Sequence, residues 1–432
     1  MANTVTSQSA KLELGDQSIE LPVVVGSENE HAVDIRKLRS STGYITLDEG
    51  YRNTGSCQSS VTFIDGEAGV LRYRGIPIEQ LAAESDFIET AWLVIYGELP
   101  TQQEQDNFRE LFTHYEMLHE GLRVAFDGFP GTSDPMAILS AMINAVSCYH
   151  HDITDTTTGE NFVEASARLL SQVRTIAAAT YKTSIGEPIM YPDASLGYCE
   201  NFLHMMFSKP NRRYEPHPDV VHALNLILLL HADHEQNCST STVRMVGSSG
   251  ANLFASCAAG VCALWGPLHG GANVRVINQL NEIHHSSMTA KQFIEHVKNS
   301  EERLYGFGHA VYKNMDPRAR ILKEQAAKVM DSLHYHDPLL DIARELEEAA
   351  MSDSYFTERR LYPNVDFYSG IIMRAIGIPM DMFTVMFAIG RMPGWIANYK
   401  EVQDHEKRIY RPRQVYTGPT KRDYVPVNKR GE

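Results

Sequence analysis

Two periods of apolar and polar residues divide the chain. "KLELGDQSIEL" alternates on either side of Gly15-Asp16, and "VTFIDGEAGVLRYRG" repeats the alternation around Asp65-Gly66. That pattern predicts short antiparallel strands over the first 75 or so residues. After Pro77 the period becomes helical. "PTQQEQDNFRELFTHYEML" opens with Thr101 and Glu104 in capping-box spacing, and Phe108, Leu111, Phe112 and Tyr115 then share one face. "SDPMAILSAMINAV" offers Asp134 as a cap with Pro135 in the first turn. Helical patterning continues nearly to residue 350. Within it, "SSGANLFASCAAGVCALW" is built from small residues, which predicts a deeply buried helix ending at Trp265-Gly266-Pro267. "GANVRVINQLNEI" resumes the period at once, with Val274, Ile277 and Leu280 apolar, so His269 is expected near a helix N-terminus. The expected fold is mainly α, with a small β region at the front.

Composition narrows the class. The 432 residues are 43% hydrophobic and 22% charged, ordinary for a globular protein with a large core. A formal charge of -15 argues against a nucleic-acid partner. The longest apolar run, "LNLILLLHA" from Leu224, is too short and too polar to span a bilayer, and no export signal opens the chain. Six scattered cysteines without a CxxC pair suit reduced thiols, so a cytoplasmic location is expected.

In so acidic a chain, local gatherings of cations and imidazoles stand out. "HADHEQN" sets His231 and His234 three apart, close to one helical face. This could suit a metal, but no HExxH and no carboxylate at ligand spacing accompany it, and a hydrogen-bonding role at the end of the apolar helix is the better reading. "LYGFGHAVYKNMDPRAR" presents His309 after Gly306 and Gly308, followed by Lys313, Arg318 and Arg320. It lacks the third glycine and the preceding strand of a dinucleotide fingerprint, and its cations suit carboxylates or phosphates. "YPNVDFYSG" puts Asp366 among apolar neighbours, where burial would raise its pKa and a helix start would lower it. Arg391, Arg411 and Arg413 follow in a tail whose Lys and Arg outnumber its Asp and Glu from residue 401 onward.

Taken together, "HADHEQN.STST", "WGP.HGGAN", "GFGH.VYKN.DPRA", "LYPNVDFYSG" and "RPRQ.YTG" resemble citrate synthase over essentially the whole chain, in order. They look like the hexameric form of Gram-negative bacteria, which carries a β-rich N-terminal extension. The resemblance implies condensation of acetyl-CoA with oxaloacetate, then hydrolysis of citryl-CoA to citrate and CoA, the first step of the tricarboxylic acid cycle. It implies Asp366 as the base, His269 as donor to the thioester oxygen and His309 as the group polarising the ketone. His234, Arg318, Arg391 and a partner subunit's Arg411 would hold oxaloacetate. The implied architecture is a β-rich region over 1–50, a large helical domain over 51–274 and 386–432, and a small helical domain over 275–385 that closes over the substrates. A homodimer is the implied minimal unit, and neither metal nor redox cofactor is required. Gly270 and Gly271 are expected to leave room for the thioester.

Two departures from the family pattern carry expectations. Ala310 replaces an arginine found directly after the histidine in many relatives, which leaves Lys313 as a substitute contact to CoA phosphates. His114 and Arg168 match an allosteric NADH site of Gram-negative relatives, but Thr113, Gln172 and Asn211 stand where that site has Arg, Lys and Cys, so weak or absent NADH inhibition is expected. The rival readings are a 2-methylcitrate synthase using propionyl-CoA, a catalytically dead helical scaffold, and a metal-dependent hydrolase built on His231 and His234.

Overall fold

The computed structural model describes residues 5–156, 159–286, 288–300, 302–309, 311–405 and 408–430. Ala310 therefore lies outside the described residues. The chain divides into two compact units, one formed by Met1–Gln58 with Tyr410–Glu432 and the other by Ser59–Ile409.

The first unit holds the predicted hairpin. Strands Val5–Leu14 and Gln17–Val25 pair antiparallel, with Leu14 opposite Gln17, so Gly15-Asp16 is a two-residue turn. His31–Val33 adds a third strand, and a single helical turn, Leu38–Thr42, follows. Residues 408–426 carry no regular element, and the described part of the tail is largely exposed.

The second unit opens on the other predicted hairpin, Thr62–Asp65 against Val70–Tyr73, with Ile76–Pro77 as a short third strand. Helices follow from Ile78 onward. Gln102–Tyr115 has the full capping box of Thr101 and Glu104, and Asp134 caps Pro135–Val146 with Pro135 in its first turn. A cap of this kind contributes about 1 kcal/mol. Phe108 and Phe112 are the buried members of the apolar stripe. The small-residue helix spans Leu253–Trp265, starts at the Asn252 cap, and is buried along most of its length.

Helical structure runs well past residue 350, through Val365–Ile376 to Phe383–Asp404. The last of these gives no amphipathic signal, because apolar and polar residues alike are buried on every side of it from Phe383 to Val402. It also contains Pro393, which ordinarily breaks a helix. Here the helix continues through it, and the adjoining Gly394 serves packing. Gly394 donates its N–H to the Ala232 carbonyl at 2.9 Å, and a side chain at 394 would collide with Ala232 and Asp233. The segment carrying His231 and His234 is thereby laid directly on the helix that carries Arg391. Among the described residues no helix is long and apolar enough to cross a membrane.

Candidate active site

His231 and His234 are not on one helical face, as the spacing suggested. Pro218–Leu230 ends one residue earlier, with His231 as its C-cap, and 232–237 is irregular. His231 is fully structural: Nδ1 donates to the Ile227 carbonyl at 2.6 Å, and its own carbonyl accepts Nε of Arg391 at 2.6 Å. His234 points elsewhere. Its Nε2 is buried without a protein partner, and its ring faces His309 with centroids 5.1 Å apart. Tyr312 completes the cluster, 4.9 Å from the His309 ring and 5.7 Å from His234, and its buried hydroxyl is likewise unpaired. Buried polar atoms left open in this way are costly unless a ligand satisfies them. No group of three metal-ligating side chains occurs among the described residues.

Backbone groups fix both remaining imidazoles. The N–H groups of Val311 and Tyr312 point at His309 Nδ1, at 3.0 and 3.3 Å. A backbone N–H can only donate, so Nδ1 is the acceptor and Nε2 carries the proton. His269 is oriented the opposite way round: Ser239 N–H donates to its Nε2 at 3.2 Å, and the Ser239 hydroxyl lies 2.9 Å from the same atom. Its proton therefore sits on Nδ1. His269 lies just ahead of Gly271, the N-cap of the helix Ala272–His285, as expected. Burial pushes both imidazoles down to about 4, helped by Arg391 at His269 and by Arg318 at His309. Both are neutral donors at physiological pH.

Two buried arginines supply the positive charge. Arg318 pairs side-on with Asp316, through Nε at 3.0 Å and Nη2 at 2.9 Å, and Asp316 also caps the helix Pro317–Ser332. Burial opposes the charge on Arg318, but Asp316 raises its pKa overall. Arg391 lies over the Phe387 ring at 4.9 Å, and His269 lies 6.4 Å from the same ring.

Asp366 occupies the first turn of Val365–Ile376, where Asn364 caps its N–H at 3.0 Å. Its carboxylate has no hydrogen-bond or ion-pair partner among the described residues. The competition left open by the sequence is won by burial, which raises its pKa to about 6 against the pull of Arg318 and Arg391. Asp316, the cap of the neighbouring helix, also accepts the Val365 N–H at 3.2 Å, tying the Asp366 helix to the Arg318 pair.

The structure thus gathers His234, His309, Arg318 and Asp366 into one neighbourhood, and His269 joins it through Phe387 and Arg391. Lys313 is exposed on the same loop as His309. Arg411 lies exposed in the other unit. Sequence reasoning missed Tyr312, Phe387 and the supporting roles of Ser239 and Asp316, although "STST" and "DPRA" were already among the motifs.

Gly270, directly after His269, has a packing reason of its own to be glycine. A Cβ on Gly270 would strike the Leu264 carbonyl oxygen and lie 2.7 Å from Thr384 Cγ2, and the Gly270 carbonyl accepts the Thr384 hydroxyl at 3.1 Å. Gly270 lets the end of one buried helix meet the start of another. Gly270→Ala is expected to lower stability by about 1–3 kcal/mol, the range for overpacking a filled site. Thermal melting of the variant checks this, and an unchanged midpoint would show that the neighbours of Gly270 give way to a methyl group.

The family model for the citrate synthase C-terminal domain matches residues 50–413. "Citrate synthase 1" of Mycobacterium tuberculosis is 51% identical over 428 residues, covering 98% of this chain and 99% of its own. The crystal structure of Pyrobaculum aerophilum citrate synthase superposes with a TM-score of 0.82 at 32% identity, over 100% of both chains. A Thermoplasma acidophilum citrate synthase, solved as a ternary complex with carboxymethyl coenzyme A and oxaloacetate, has a TM-score of 0.80 at 31% identity, over 89% of this chain and 100% of its own. Shared along nearly its full length with a curated relative and matched by the family model from residue 50, this chain belongs to the citrate synthase family and is a transferase.

Proposed function

We propose that the protein condenses acetyl-CoA with oxaloacetate and hydrolyses the resulting citryl-CoA to citrate and CoA. The observation that carries this reading is the pair of neutral imidazoles held by backbone N–H groups beside an unpaired carboxylate. A thioester α-proton is very weakly acidic, so its removal requires a base and an electrophile acting together. Asp366 takes the proton from the acetyl methyl group, and His269 Nδ1–H donates to the thioester oxygen as the enol forms. The new carbon nucleophile attacks the ketone carbon of oxaloacetate, whose oxygen gains charge facing His309 Nε2–H. Water then cleaves the thioester of citryl-CoA, releasing the CoA thiol.

Arg318, Arg391 and His234 hold the oxaloacetate carboxylates, joined by Arg411 of the partner subunit. Guanidinium groups suit this task because they stay charged when buried and bind carboxylates through two parallel hydrogen bonds. Lys313 contacts the CoA phosphates. Residues 275–385 form a small domain that closes over the substrates and keeps water from acetyl-CoA during condensation. The working assembly is a homodimer at least, and a hexamer in the form typical of Gram-negative bacteria. The enzyme acts in the cytoplasm within the tricarboxylic acid cycle, without a cofactor and without nucleic-acid or membrane partners.

Thiol release from acetyl-CoA should depend strictly on oxaloacetate. Release at the same rate without oxaloacetate, or none with it, would sink the assignment. The acyl preference is read from kcat/KM for acetyl-CoA against propionyl-CoA. One methylene changes discrimination by about 1–3 kcal/mol, so acetyl-CoA should lead by roughly ten- to two-hundredfold. NADH at micromolar concentration should inhibit weakly or not at all, because Thr113, Gln172 and Asn211 replace the basic and cysteine positions of the NADH site, and Gln172 is buried with its amide donating to the Met117 carbonyl at 2.9 Å.

A further inference from the structure

The turn of the second hairpin, residues 65–69, does more than join two strands. It packs against the loop that carries His309. Lys313 N–H donates to the Gly66 carbonyl at 2.8 Å. A Cβ on Gly66 would run into the Val311 carbonyl group, meeting its carbon at 2.8 Å, and one on Gly69 would lie 2.9 Å from the Met315 carbonyl oxygen. Glu67 forms an ion pair with Arg360 in the segment before the Asp366 helix. The contacted residues are the ones that matter for His309. Val311 and Tyr312 supply the two N–H groups that aim its ring, and Lys313 follows directly.

We infer that this turn is a positioning element for His309, setting the register of the 311–315 backbone and so the direction in which Nε2–H points. Gly66 is its central residue, because any side chain there must push the Val311 peptide away. The inference rests on the proposed role of His309 in polarising the oxaloacetate ketone. It assigns no substrate contact to the turn itself.

The test is the infrared carbonyl stretch of oxaloacetate bound to the wild-type enzyme and to Gly66→Ala, with kcat measured alongside. A hydrogen bond from Nε2 moves the stretch to lower frequency. The wild type should show that shift, and Gly66→Ala should lose most of it with kcat falling about 10²-fold, the penalty for roughly 1 Å of misplacement. Gly128→Ala, where a Cβ meets open space, should behave as wild type. No shift in the wild type would overturn the role of His309 itself. A normal shift and normal kcat in Gly66→Ala would overturn the positioning role alone. Should Gly66→Ala fail to fold, the exposed pair decides: Glu67→Arg and Arg360→Glu should each weaken the shift and lower kcat severalfold, and the double exchange should restore both. Single variants indistinguishable from wild type would then overturn the inference.

Discussion

Asp366→Asn should lose activity by about 10²- to 10⁴-fold in kcat, the usual contribution of a positioned general base. The amide keeps the shape of the side chain and removes only its capacity to take a proton. KM for oxaloacetate should change little, since the carboxylate of Asp366 holds no arginine in place. The wild-type pH profile should carry the same residue's signature. Burial raises Asp366 to about 6, so the fraction in the active carboxylate form, and with it the rate, falls as pH drops through that value. In Asp366→Asn that acid limb should vanish from the residual rate.

The same substitution has a second, opposite effect. A carboxyl group that titrates near 3.8 when unfolded and near 6 when folded binds its proton more tightly in the folded state. The folded state is therefore favoured by this group below about 3.8, and that advantage is lost as pH rises through 6, so at neutral pH the ionised carboxylate disfavours folding. Asp366→Asn should then melt at a higher temperature than wild type at pH 7, by up to about 3 kcal/mol in stability, with the difference shrinking as pH is lowered. A variant that is inactive and less stable would point to a structural role for Asp366. One that retains wild-type turnover would remove it from the mechanism.

How far the sequence spoke for itself depended on whether a residue's surroundings were local. Both hairpins and the caps at Thr101 and Asp134 are local devices, and they lie where the pattern predicted them. The helix Phe383–Asp404 was illegible for the opposite reason: it has no polar face, and its glycines 390 and 394 are explained only by the segment 228–233 lying across it. The packing constraint on Gly270 was invisible because its neighbour, Thr384, is remote in sequence. The hydrogen-bonding role read for a histidine at the end of the apolar helix is filled by His231, whereas the shared helical face suggested by the spacing fails because the chain stops being helical before His234. Tyr312 and Phe387 look like ordinary core aromatics until the rings of His234, His309 and His269 are found beside them.

His269→Ala should lower kcat by about 10²- to 10³-fold, the range for deleting one donor to a developing oxyanion. The loss should fall on the step that forms the enol and should leave oxaloacetate binding intact. Donation to the thioester oxygen depends on which ring nitrogen bears the proton. Ser239 N–H occupies Nε2, so the donor is Nδ1, and the Ser239 hydroxyl is itself held by Trp395 Nε1 at 3.2 Å and by Asn237 Oδ1 at 2.8 Å. The imidazole is thus braced from behind by three residues on two helices and cannot exchange its tautomer without losing the Ser239 N–H. It also stays neutral, since burial and Arg391 hold it near 4. The pH profile of the wild type should accordingly show no limb at the ordinary histidine value of about 6.5 beyond the one due to Asp366. The decisive measurement is ¹⁵N NMR of ring-labelled His269, in which a protonated Nδ1 and a bare Nε2 give widely separated resonances at pH 7. The reverse assignment, or an averaged imidazolium signal, would mean that His269 cannot donate from Nδ1 as a neutral group, and a His269→Ala enzyme within tenfold of wild type would show that the enol forms without it.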